Sequence, residues 1–125
     1  MARKTHDVPR WLDDVSPEDF PAASSYLSLT FAPKQVKKLI AALKVAPPCQ
    51  FKAKDIFRAS GLSLLGISNY QVEKDRMKIR EGTALSPILL VRDEASVRVV
   101  IADGYRRLCA VYACNEDELI PCRIV

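Results

Sequence analysis

The run Val97-Arg98-Val99-Val100-Ile101-Ala102, followed by Asp103-Gly104 and then by Leu108, Val111 and Tyr112 at helical spacing, constrains this chain more than any other stretch. A β-branched run of this length reads as a buried strand, and the i, i+3, i+4 recurrence reads as one face of a helix. Between them the chain must turn sharply. Asp103 is the expected N-cap, its carboxylate accepting from the first free N–H groups, and Gly104 lets the backbone turn tightly and leaves those donors accessible. Such a turn can hold an anion.

The cations at this turn sit at the unfavourable end of a helix. A helix N-terminus carries roughly half a positive charge, so Arg106 and Arg107 in the first turn each cost a few tenths of a kcal/mol up to about 1. Two arrangements offset that cost: a bound phosphate or other anion held by free amides and guanidinium forks, or an internal carboxylate, either Asp103 or one elsewhere in the fold.

Three segments together resemble a known superfamily. They are Ser86-Pro87-Ile88-Leu89-Leu90-Val91, then Ile101-Ala102-Asp103-Gly104-Tyr105-Arg106-Arg107-Leu108-Cys109-Ala110, then Ile120-Pro121-Cys122-Arg123-Ile124-Val125. Their content and order are similar to the ParB N-terminal domain and sulfiredoxin superfamily, in which a Pro-Ile-x-Val strand precedes a Gly-x-[His/Arg]-Arg turn that binds nucleotide phosphates. The likeness covers about residues 69–125 and implies a small mixed sheet. By resemblance, the phosphate site is the turn Asp103, Gly104, Tyr105, Arg106 and Arg107, and the implied ligand is a nucleoside triphosphate of unspecified base or another phosphate. Sulfiredoxins carry their catalytic cysteine directly after the glycine, and ParB proteins carry a glutamate there; this chain has Tyr105. Neither thiol chemistry nor ParB-type hydrolysis is therefore implied. A helix-turn-helix of its own for specific DNA binding is not expected.

Composition sets wider bounds. With 125 residues, 49% apolar and 27% charged, one soluble globular domain with its own core is expected. A net charge of +4, spread along the chain, leans toward anionic ligands without forming the basic stripe that marks a nucleic-acid binder. No apolar run approaches a membrane span and the N-terminus lacks a signal segment, so the expected location is cytoplasmic, with no membrane partner. Cys49, Cys109, Cys114 and Cys122 form no C-x-x-C pair and have no histidine in metal-ligand spacing, so no metal is expected; Cys109 and Cys114 on a helix and Cys122 in a strand read as small buried residues, and all four as structural or incidental. His6 falls in a polar N-terminal arm, over residues 1–10, that Trp11 and Leu12 anchor.

Along the first half, Ser16-Pro17-Glu18-Asp19 predicts a short helix capped by Ser16, which Phe20-Pro21 interrupts. Residues 21–29 then read as a further helical piece, although Leu27, Leu29 and Phe31 also alternate as a strand would. Residues 34–44 form a clear amphipathic helix, with Val36, Leu39, Ile40 and Leu43 opposite Lys34, Lys37, Lys38 and Lys44. Pro47-Pro48 ends it, 52–60 is the next helix, and Gly66 with Ser68-Asn69 marks a turn. A helix over 71–81 buries Val72 and Ile79 and turns its bases outward, where one of them can reach a ligand at the phosphate turn. Residues 88–92 and 97–102 are antiparallel strands joined by Asp93-Glu94-Ala95-Ser96, and 120–125 is a strand expected parallel to 97–102 through a right-handed crossover.

The whole reads as a single α+β domain, with a mostly helical half over 1–68 and a phosphate-turn core over 69–125. Two functions follow: a nucleotide- or phosphate-binding module, or an interaction domain that keeps the fold but has lost the ligand, with both arginines paired to carboxylates. A non-specific nuclease ranks last, for want of clustered acids and histidines.

Overall fold

The run Ile88-Leu89-Leu90-Val91 is apolar at every position, and a strand of that kind is stable only where both of its faces are covered. The computed structural model describes residues 8–65 and 69–125 and places this run at the centre of the molecule. The elements are β1 (Arg10–Trp11), α1 (Asp19–Leu27), α2 (Pro33–Val45), β2 (Cys49–Lys52), α3 (Ala53–Ser60), α4 (Tyr70–Glu81), β3 (Ala84–Leu85), β4 (Ile88–Asp93), β5 (Arg98–Asp103), α5 (Tyr105–Cys114) and β6 (Leu119–Ile124). At 45% helix and 23% strand the fold is α+β.

Four strands form the main sheet in the order β2-β6-β4-β5, and β1 pairs with β3 in a separate two-stranded ribbon. Alternate residues of β4 enter two different cores. Ile88 and Leu90 join Ala53, Ile56, Val72, Ile79 and Leu108 beneath α3, α4 and α5. Leu89 and Val91 join Ala23, Leu27, Val36 and Leu43 beneath α1 and α2. Each leucine buried completely contributes roughly 1.5–3 kcal/mol relative to exposure, so β4 is the element on which both layers depend.

The amphipathic helix expected at 34–44 is α2, with Pro33 in its first turn and Val36 and Leu43 buried. Trp11 is half-buried against the first core, as expected, and its segment pairs with β3; Leu12, expected to share that role, exposes its side chain and is held through its amide, which donates to the Leu85 carbonyl. The hairpin β4–β5 is antiparallel, Asp93 accepting from the Ser96 hydroxyl at its turn.

Other expectations are corrected. Ser16 does not cap α1 with its side chain; its backbone carbonyl accepts from the Asp19 amide. Pro21 does not interrupt that helix, because it lies in the first turn, where no amide donor is needed. Lys52 belongs to β2 rather than to the following helix, and the short strands β1, β2 and β3 had no counterpart in the sequence reading. The strand after α5 is not parallel to β5: β6 pairs with β4 in parallel, while β4 and β5 are antiparallel. Asp103 lies opposite Leu89 and Cys122 opposite Ile88, so the chain leaves and re-enters the sheet at the same end. The 10 residues of α5 span about 15 Å, enough to cross two strand spacings of ~4.8 Å. Pairing of the Ala53 and Lys54 amides with the carbonyls of Glu118 and Glu116 fixes where β6 begins. The expectations placed on residues 1–7, His6 among them, and on Gly66 and Ser68 lie outside the described residues.

Candidate functional site

Gly104 sits between β5 and α5 with φ 108° and ψ 14°, a left-handed conformation that side chains disfavour. Space enforces the same choice. A Cβ here would stand 2.8 Å from Cγ1 of Ile88 and 2.9 Å from Nη2 of Arg107. This geometry makes Gly104 itself the N-cap of α5, without a side-chain cap, and corrects the expectation that Asp103 caps the helix. The first intrahelical bond runs from the Leu108 amide to the Gly104 carbonyl at 2.9 Å, so the amides of Tyr105, Arg106 and Arg107 precede the helical ladder.

The Asp103 carboxylate turns to Arg107 instead. Arg107 Nη2 donates to Asp103 Oδ2 at 3.1 Å, to the Pro87 carbonyl at 3.3 Å and, more weakly, to Asp19 Oδ2 at 3.5 Å. Asp19 also accepts from the Ser86 hydroxyl at 2.6 Å, and Ser86 Oγ accepts from the Ser16 amide at 3.0 Å. The side chains of Arg107, Asp19 and Asp103 are only 17%, 12% and 19% exposed, which makes this an internal network rather than a surface pair. Burial pushes the Asp103 carboxyl above its ordinary value; Arg107 pulls it back, and the Asp19 charge adds to the rise. Arg107 Nε is buried without a partner.

The other two residues of the turn behave differently. Arg106 is exposed and has no ion-pair partner among the described residues. Tyr105 donates its hydroxyl to the Ser63 carbonyl and packs against the first core, holding the segment after α3 against the start of α5.

Two clefts flank the turn. One, of about 350 Å³, runs along β5 between Ala22 and Tyr26 of α1 and Leu62. The other, of about 260 Å³, is polar and opens between the turn and Gln71, Asp75 and Lys78 of α4. Lys78 is thus the α4 base that faces the turn, at 3.9 Å from Asp75. Burial raises the Asp75 carboxyl, and Lys78, Arg107, Lys74 and Arg106 oppose that rise in decreasing order. Among the described residues no group of histidines, cysteines or acids could hold a metal ion.

All five expected residues therefore gather at one turn, but in two roles. Arg107 and Asp103 are largely buried and tied to each other at one wall of the polar cleft, whereas Arg106, which lines both clefts, is exposed. The carboxylate from elsewhere in the fold that offsets Arg107, beside Asp103, is Asp19. Its identity had no local signal, since it lies 88 positions from Arg107 and was legible only as a helix-start acid. Ser86 likewise gave no sign of its role. Comparison with protein-family models, with curated proteins and with solved structures finds no match.

Proposed function

We propose that this chain is a phosphate-binding module of ParB-like design, taking a nucleotide or another phosphate ester at the start of α5. One observation carries the reading: Tyr105, Arg106 and Arg107, whose amides precede the first helical bond of α5, line a polar cleft together with Lys78, and Arg106 is exposed there. Amide donors, a helix dipole and two cations form a combination suited to a phosphate. The similarity of Asp103-Gly104-Tyr105-Arg106-Arg107 to the superfamily's phosphate turn supports the same assignment. In this reading Arg106 and Lys78 contact the ligand, while Arg107 holds the turn in shape through Asp103 and Asp19.

The alternative, an interaction domain that has lost its ligand, is favoured by one feature: the carboxylates already occupy Arg107. Thermal shift with a panel of nucleoside triphosphates, inorganic triphosphate and inorganic phosphate separates the two readings. A phosphate module melts higher with at least one polyphosphate. A melting temperature unmoved by every member of the panel removes the proposal and leaves the interaction domain.

A further inference from the structure

Cys49 and Cys122 are far apart in sequence but directly opposite each other in the antiparallel pairing of β2 with β6. Directly opposed residues of antiparallel strands point to the same face with Cα atoms about 4.5 or 5.5 Å apart, and both spacings fall within the ~4.4–6.8 Å that a disulfide tolerates. Both side chains belong to the same core, Cys122 buried and Cys49 packed against it. The Cys49 thiol already donates across the strands to the Cys122 carbonyl at 3.4 Å. The two differ in access: Cys49 is half-buried at the start of the edge strand β2, whereas Cys122 is 1% exposed in the interior strand β6.

We propose that Cys49 and Cys122 form a redox-responsive dithiol, in which Cys49 reacts first with a disulfide oxidant and Cys122 resolves the product into a bridge between β2 and β6. The Cys49 thiolate attacks one sulfur of glutathione disulfide, whose S–S bond breaks and releases one glutathione thiolate. The Cys122 thiolate then attacks the Cys49 sulfur of the mixed disulfide and releases the second glutathione. Two cysteine thiols lose two electrons and two protons, and one glutathione disulfide becomes two glutathione thiols. The order of attack follows from the surroundings. Burial raises the Cys49 thiol while Arg92 and Arg123 draw it back, whereas burial, reinforced by Cys49, pushes the Cys122 thiol up to about 12. Thiolate character and access both select Cys49 for the first step. Cys109 and Cys114, both on α5, have no such cross-strand juxtaposition.

The test treats the folded full chain with excess glutathione disulfide, then alkylates it, measures intact mass and maps the peptides. The expected result is loss of two thiols in a single Cys49–Cys122 bridge that dithiothreitol reverses, preceded by a transient glutathione adduct on Cys49. Cys122→Ser should stop at that adduct, and Cys49→Ser should leave Cys122 unmodified. Full retention of thiols by the folded parent, a bridge mapped to other cysteines, or oxidation of Cys122 in Cys49→Ser at the parent's rate would each overturn the proposal.

Discussion

Arg107 is the residue whose role changes most once its surroundings are known. As a sequence position it is a cation against a helix dipole; in the fold it is enclosed by Asp103, Asp19 and the Pro87 carbonyl. Removing one partner of a buried ionic network leaves uncompensated charge, so Arg107→Ala should cost about 3 kcal/mol or more. Adding Asp19→Asn should recover part of that loss, because one stranded carboxylate is then gone. Urea unfolding of the two variants checks both statements, and an Arg107→Ala variant as stable as the parent would contradict the network. Asp103 adds a dependence on pH. Because its carboxyl is held above the ordinary range near ~3.9, the folded chain binds that proton more tightly than the unfolded chain. The stability this contributes is complete below the unfolded pKa and is lost as pH rises through the folded one. The stability of the parent minus that of Asp103→Asn should therefore shrink as pH rises from about 4 toward neutrality, measured as denaturant midpoints. A difference that grows over the same window would reverse the sign of the argument.

Among the elements, the two cores on opposite faces of β4 make separate contributions. Leu108 lies in one and Leu43 in the other, both fully buried. Each truncation to alanine should cost ~2–5 kcal/mol, and the double variant should equal the sum within about 0.5 kcal/mol, because the side chains share no cluster. Strong non-additivity in unfolding titrations would mean that the sheet does not separate the layers. The elements that the sequence made legible are those whose signal is local. The apolar run of β4 and the β-branched run of β5 supply both cores, and the stripe of α2 buries one periodic face. The short strands β1, β2 and β3 have two to four residues each, too few for a period to emerge. The place of β6 beside β4 was hidden for another reason. It depends on which strand needs two neighbours, and β4, buried on both faces, takes the centre while β5 keeps an edge. At the candidate site, Gly104 and the arginines were visible because a turn declares itself locally. Asp19 and Ser86 were not, because their meaning arises only when α1 packs beside the start of α5.

For the molecule as a whole, a helical layer, a mixed sheet and a second helical layer converge on one turn. Asp19 of α1 and Asp103 of β5 secure Arg107 at that turn, and Lys78 of α4 faces it across the polar cleft. Among the described residues no helix is long and apolar enough to cross a membrane. We propose that this convergence positions Arg106 and the first amides of α5 for a phosphate. A ligand bound at a hundred times its dissociation constant stabilises the fold by about 2.7 kcal/mol. An unfolding entropy of about 2.1 cal/mol/K per residue over 125 residues is roughly 0.26 kcal/mol/K, so the melting temperature should rise by about 10 °C. The most direct measurement is calorimetric titration of the parent and of Arg106→Ala with the polyphosphate that gives the largest thermal shift. Arg106 is exposed, so its removal should leave the ligand-free melting temperature near the parent's while affinity falls tenfold or more, at about 1.4 kcal/mol per factor of ten. Unchanged affinity in Arg106→Ala, or a parent that binds no polyphosphate at all, would contradict the account.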